Sequence, residues 1–250
     1  RQRQMCIRDS NVIPVQSRDF TWDVTASFSL LRSEVISIAD GIDQIYVGGY
    51  VGRGNIAIPG LPYGILEGEL IRRDYGSLDG TDHTQVHWDD RTGYTPIVNA
   101  NGGYQFLGYG VIGNPQPDYV YGVTNTLSYK WATLRVQFDS QVGGDVFSTT
   151  NSTLLGRGIL QETDFDRFVP VVTNGLSADG TPNTTQTTAN AHYWPNTGVF
   201  YDENSIYDAS VMRLREVSLS FVAPKSFLNG TPFGNASLTL SAQNIWHYAW

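Results

Sequence analysis

Cysteine is almost missing from this chain. Cys6 is the single one among 250 residues, so no internal disulfide can form. Charge is scarce as well. Asp, Glu, Lys and Arg make up 16% of the residues, with a net charge of −8 at neutral pH. No cluster of Lys and Arg breaks that acidic balance, which excludes a nucleic-acid phosphate surface. Long apolar runs are absent too: nothing approaches the roughly 18 residues of a transmembrane helix. A transmembrane β-barrel stays open, because its polar lumen residues dilute the hydropathy. Catalytic signatures are lacking. There is no Gly-x-Ser-x-Gly, and Gly52-Arg53-Gly54 is not followed by the Gly-Lys-Ser/Thr of a phosphate loop. No enzymatic activity and no cofactor are expected.

What the chain does have is Gly, Tyr, Thr, Ser and Asn, with 14 Tyr, 11 Phe, 6 Trp and 26 Gly. Such a composition favours strands and turns. The clearest stretch is Tyr119 to Ser148. Tyr119, Tyr121, Val123, Leu127 and Tyr129 fall at every second position, interrupted only by Asn125. After a turn at Lys130-Trp131-Ala132, Leu134, Val136 and Phe138 alternate with Thr133, Arg135, Gln137 and Asp139. Period-two alternation on both sides of a tight link predicts a β-hairpin. Each arm has about the 9–11 residues with which a tilted strand crosses a bilayer.

The same alternation recurs. Phe20 to Leu30 places Phe20, Trp22, Val24, Ala26, Phe28 and Leu30 on one face, and a turn is expected at Leu31–Glu34. Near the end, Val217, Leu219 and Phe221 precede a link of prolines and glycines, and Leu238, Leu240 and Ala242 follow it. Trp246, Tyr248 and Trp250 extend that aromatic phase, as an interfacial girdle would. Shorter strands are expected at Gln44–Tyr50, Tyr63–Asp74 and Tyr104–Ile112. The first ten residues show neither period nor a signal-peptide core, and residues 1–17 are expected to be a non-native or disordered leader. Residues 148–204 read as one long, irregular loop. Periodicity leaves two classes open, since a lipid-facing strand and one packed on a soluble core both show one apolar face. A secreted β-sandwich carbohydrate-binding module would have strands of about five or six residues.

Motifs go further. Val111-Ile112-Gly113-Asn114-Pro115-Gln116-Pro117-Asp118-Tyr119, Thr124-Asn125-Thr126-Leu127-Ser128-Tyr129-Lys130, Phe138-Asp139 and Gly143-Gly144-Asp145 occur in order. Tyr207-Asp208-Ala209-Ser210, Leu214-Arg215-Glu216-Val217-Ser218-Leu219-Ser220-Phe221 and Gln243-Asn244-Ile245-Trp246 follow. Over residues 18–250 this resembles the SusC/RagA family of TonB-linked outer-membrane proteins. The resemblance implies an all-β fold: part of a transmembrane antiparallel barrel of about 22 strands. Family members are several times longer and carry a signal peptide, a TonB box and a plug. The chain is therefore expected to be a barrel fragment with about six to eight of those strands, missing the plug and the final strands. The Lys130 turn would face the periplasm and the 148–204 loop the cell exterior. The implied function is import of oligosaccharides, or peptides in some members, across a Gram-negative, Bacteroidota-like outer membrane. Implied partners are a SusD-like surface lipoprotein, TonB-ExbB-ExbD acting through the plug, and outer-membrane lipid.

Candidate ligand contacts are the aromatics of the expected loops: Trp88, Tyr94, Tyr193, Trp194 and Tyr201. Aromatic faces stack on sugar rings and bury large areas. Loop packing or contact with a partner protein are the plainer alternatives. The acidic and histidine-bearing run Asp79, Asp82, His83, His87, Asp89, Asp90 matches no metal-ligand spacing closely, and no metal is expected. Neighbouring carboxylates such as Glu67/Glu69 and Asp202/Glu203 do not by sequence alone form the spaced pair of a glycosidase, and exposure is the common fate of such residues.

Overall fold

The computed structural model describes residues 2–50, 52–74, 88–196 and 201–249. Its strands in chain order are β1 (Gln2–Gln16), β2 (Phe20–Glu34), β3 (Ile45–Tyr50), β4 (Arg53–Ala57), β5 (Ile65–Ile71), β6 (Arg73–Asp74), β7 (Thr95–Pro96) and β8 (Phe106–Gly113). They continue with β9 (Tyr119–Tyr129), β10 (Ala132–Val142), β11 (Asp145–Phe147), β12 (Val171–Val172), β13 (Gln186–Thr187), β14 (Ile206–Asp208), β15 (Val211–Val222) and β16 (Ser237–Ala249). Among the described residues three short α-helices interrupt them: α1 (Thr149–Gly156), α2 (Ala189–Asn196) and α3 (Lys225–Leu228). Among the described residues no helix is long and apolar enough to cross a membrane, which says nothing about strands. The chain divides into two compact units.

One unit is made of residues 3–32, 117–144 and 209–250. Its core is a six-stranded sheet in the order β1-β2-β9-β10-β15-β16. Register explains why the alternation matters. Val136 lies opposite Asn125 on one side and Val217 on the other, Leu134 opposite Leu127 and Leu219, and Phe138 opposite Val123 and Leu214. Trp22, Val24 and Ala26 continue that row from β2, and Leu240 and Ala242 from β16. The apolar residues of five strands thus share one face. The other face carries Thr25, Thr124, Gln137, Glu216 and Gln243. Aromatic residues cluster toward the two ends of the apolar face. Phe28, Tyr119 and Tyr121 stack at one end, at 5.7 and 6.3 Å. Trp131 and Phe221 meet at 5.6 Å at the other. The interrupting Asn125 is satisfied: its Oδ1 accepts the indole N–H of Trp22 at 3.2 Å.

A phase slip in β15 also has a cause. Arg215 is an extra residue relative to β10, and Asn244-Ile245 lie opposite it on β16. The bulge returns Leu214 and Met212 to the apolar row, against Trp246 and Tyr248. It places Arg213 and Arg215 at the Asp139 carboxylate, at 2.8 and 2.6 Å. Asn244 pays for the geometry with a left-handed φ of 52°, and its Oδ1 accepts from Arg215 at 3.1 Å. A β-branched residue there is strained by about 1–2 kcal/mol. Asn244→Val is therefore expected to destabilise the sheet by that amount plus the lost hydrogen bond, whereas Asn244→Gly loses the bond alone. Chemical denaturation of both variants checks the ordering.

Connectivity is one-sided. Ser17–Asp19, Lys130–Trp131 and 223–236 link neighbouring strands at the end where Phe20 pairs Tyr129 and Ala132 pairs Phe221. At the opposite strand ends the chain leaves for the second unit, residues 33–116 and 145–208. Here the structure differs from the sequence reading in four places. Gln2–Gln16, expected to lie outside the fold, forms edge strand β1. The turn expected at Leu31–Glu34 is a continuation of β2, because alternation stops at Leu30 but hydrogen bonding does not require it. The 148–204 segment, expected as one irregular loop, carries α1, α2 and the short strands β12 and β13. Finally, β3, β4, β5 and β8 do not join the six-stranded sheet and form a four-stranded sheet of their own.

That second unit has the buried core. Ile56, Ile65 and Ile71 are buried, and Leu66, Leu70 and Ile112 form a cluster that Leu107, Phe147 and Ile206 pack against. β11 pairs with β14 and closes the 145–208 segment, and the Val98 N–H donates to the Leu176 carbonyl at 2.7 Å, which ties that segment to 33–116.

Candidate functional site

The motif residues clamp strand ends. In the second unit, the Asp145 carboxylate accepts the Asn114 N–H at 2.6 Å, and the Asp145 N–H donates to the Asn114 carbonyl at 2.8 Å. Gln116 donates to the Tyr63 carbonyl at 2.7 Å. A Cβ on Gly113 would meet Asp145 at 2.8 Å, so only glycine fits. In the sheet unit, Gly143 has φ 75° and Gly144 φ 87°, a pair of left-handed residues. Gly143 N–H donates to Ser210 Oγ at 2.8 Å. The Asn-Pro-Gln-Pro-Asp, Gly-Gly-Asp and Tyr-Asp-Ala-Ser stretches are thus structural fasteners.

The charged residues of the second unit meet away from those fasteners. Asp202 is fully buried, and Arg53 grips it with both Nη2 at 2.7 Å and Nε at 2.9 Å. The Glu69 N–H adds a third bond at 3.1 Å. Glu203 pairs with Arg73 at 2.6 Å, both nearly buried. Burial pushes the Glu203 carboxyl above its usual range, more than the attraction of Arg73 pulls it down. Burial and the Asp202 charge raise Glu69 as well. The folded state then holds the Glu203 proton more tightly than the unfolded chain does. Its contribution to stability is full below the unfolded value of about 4.5 and is lost as pH rises through the folded value. Glu203→Gln keeps an acceptor for Arg73 and cannot ionise. It is expected to flatten the stability of β5 and β14 as pH rises above the unfolded value of about 4.5, as amide hydrogen exchange would show.

Beside this pair lies a cavity of about 230 Å³ lined by Arg73, Trp88, Arg91, Asp145, Glu203 and Ile206. It is the place where a predicted ligand contact, Trp88, meets charged groups. Arg73 Nε and Glu203 Oε2 are buried there with no hydrogen-bond partner among the described residues. The other candidates lie elsewhere. Tyr94 gives its carbonyl to Arg73 at 3.1 Å. Tyr193 packs edge-on against His192 at 4.8 Å and near Phe165 at 6.0 Å. Tyr201 is buried, and its hydroxyl donates to the Tyr104 carbonyl at 2.6 Å. Trp194 belongs to α2, and its side chain lies outside the described residues, as do Asp79, Asp82, His83 and His87. Sequence reasoning missed Arg53, Arg73 and Arg91, for nothing local marks an arginine such as Arg53 or Arg73 whose partner lies more than a hundred residues away.

No family model matches the chain. Among curated proteins, it is 25% identical to TonB-dependent receptor P3 of Formosa agariphila over 92% of this chain and 22% of the receptor. TonB-dependent receptor P26 of the same organism is 24% identical over 94% of this chain and 23% of its own length. Among solved structures, the RagAB peptide importer in its open-open state aligns over 99% of this chain and 25% of its own, with a TM-score of 0.60 at 15% identity. The closed-closed state gives a TM-score of 0.59 at 16% identity.

The chain resembles SusC/RagA-type TonB-dependent receptors.

It spans under a quarter of the length of the curated relatives it matches. Within the SusC/RagA-like frame, the six-stranded sheet corresponds to part of an antiparallel β-barrel. Six strands fall at the lower bound of the expected number, because β3, β4, β5 and β8 build the insertion and not the wall.

Proposed function

We propose that this chain is a wall and loop segment of a TonB-dependent outer-membrane transporter. The observation that carries this reading is the six-stranded sheet: five strands share one apolar face, short links lie at one end, and long folded insertions leave from the other. Outer-membrane barrels combine short periplasmic turns with long extracellular loops in this way. The strands also argue against a carbohydrate-binding sandwich: β9 and β10 have 11 residues each, and β15 and β16 have 12 and 13. Strands in globular proteins average about five or six. Large apolar side chains left about half exposed, such as Leu238, Leu240, Trp246 and Tyr248, fit a lipid environment.

On this reading the polar face lines the lumen, the Lys130 turn faces the periplasm, and residues 33–116 and 145–208 reach the cell exterior. The intact transporter imports oligosaccharides, or peptides as the name of the RagAB neighbour states for that protein, with a SusD-like lipoprotein over its mouth. TonB-ExbB-ExbD drives the cycle through a plug. This segment does no bond-making chemistry. Trp88, beside Arg73 and Glu203, is the aromatic best placed to meet cargo, with Tyr94 and Tyr193 as further loop contacts, whereas the buried Tyr201 serves packing.

Uptake by cells tests the proposal. Deleting the gene and disabling TonB should abolish import of the same labelled oligosaccharide or peptide pool. Import that survives loss of TonB would overturn it. Affinity purification of the intact receptor should recover a surface lipoprotein.

A further inference from the structure

The sheet unit holds a second concavity, at the end with the short links. It measures about 470 Å³, within the span of small-ligand pockets. Trp131, Phe221 and Leu238 form its floor, and Pro224 and Phe227 of the 223–236 link form its wall. Its lining is nearly free of polar groups except at Ser237. Phe221 and Leu238 lie directly opposite each other in the apolar row, so the pocket is continuous with the face assigned to lipid. Phe227 is 78% exposed and Trp131 51%, which leaves the pocket open.

Charge supplies the second observation. The chain has only two lysines, Lys130 and Lys225. Lys130 directly precedes Trp131, and Lys225 directly follows Pro224, so both flank lining residues. Lys130 is held only loosely, with Asp19 Oδ2 at 4.0 Å and the Tyr129 ring at 5.3 Å. An ammonium group on a flexible stem at the edge of an apolar pocket is suited to a phosphate at the membrane surface.

We infer that this pocket seats an acyl chain of one phospholipid from the periplasmic leaflet, with Lys130 and Lys225 facing its phosphate. The inference rests on the proposed membrane orientation. It goes beyond it, because a general lipid annulus would need neither the link's aromatic wall nor the paired lysines.

The intact receptor, extracted in mild detergent, is examined by native mass spectrometry. One phospholipid per barrel should remain on the wild type. Leu238→Trp, which fills the pocket, should lose it. Lys130→Gln with Lys225→Gln should release it at a lower detergent concentration. Equal retention in all three proteins overturns the inference, and so does no retention in the wild type. A second measurement uses vesicles of phosphatidylethanolamine with brominated acyl chains. Comparing wild type with Trp131→Phe and Trp246→Phe isolates each tryptophan's quenching. Trp131 should quench, and should saturate at a lower brominated fraction than Trp246. Quenching of Trp246 without Trp131 overturns the pocket alone. Quenching of neither overturns the membrane orientation itself.

Discussion

Val136→Arg is expected to cost ~2–4 kcal/mol of stability in a bilayer, since a guanidinium on the lipid face near the midplane loses its hydration. Val136 sits in the middle of the apolar row, level with Asn125 and Val217. Two residues on either side of it along β10 are Leu134 and Phe138, and the facing Asn125 is uncharged and bonded to Trp22, so nothing beside it neutralises the guanidinium. Leu240→Arg, opposite Leu219, should behave similarly. Thr239→Arg is the control. Thr239 pairs with Ser220 on the other face, and their hydroxyls lie 2.9 Å apart. An arginine there meets water or the lumen, and its cost should be much smaller. Urea titration of the intact receptor folded into lipid vesicles gives the comparison. Equal costs at Val136 and Thr239 would remove the assigned facing.

Asp202→Ala should destabilise the insertion unit by about 3 kcal/mol, in the range for breaking a buried ion pair on one side. The carboxylate is inaccessible to solvent and accepts from Arg53 and the Glu69 N–H. It joins the 145–208 segment to β4 and β5, so its loss loosens the connection between two chain segments far apart in sequence. Arg53 is itself 42% exposed and can turn to water, which keeps the cost below the upper end of that range. Asp202→Asn should fall between, since an amide oxygen still accepts but the charge is gone. The close fit adds a constraint: a Cβ on Gly68 would come within 2.5 Å of Asp202 Cβ. Hydrogen exchange of β4 and β5 amides checks both variants, and an unchanged pattern in Asp202→Ala would show that the pair is dispensable.

The wall was readable because its information is local. A strand with one face in lipid and one in a lumen must alternate, and Phe20–Leu30, Tyr119–Tyr129 and Ala132–Val142 alternate almost without fault. The β15 bulge was harder. Arg215-Glu216 appears in sequence as two consecutive polar residues, and only pairing with β10 and β16 shows that the phase is restored. The candidate site was far less readable. Trp88 was picked for its ring alone. Arg73 and Glu203 are 130 positions apart, and neither sits in a motif.

Composition and period two thus sufficed for an all-β chain with long amphipathic strands, since each residue's side is fixed by its immediate neighbours. The link chemistry at Lys130–Trp131 was local as well. Which strands form the wall and which build the insertion was settled by long-range pairing. β5 and β8 have strand-like sequences, but they hydrogen-bond to each other and bury Leu66, Leu70 and Ile112 in a core of their own. The buried Arg53–Asp202 and Arg73–Glu203 pairs, and the lysine-flanked pocket under Phe227, likewise exist only once distant segments meet. Their energies come from desolvation and proximity, which no single stretch of sequence specifies.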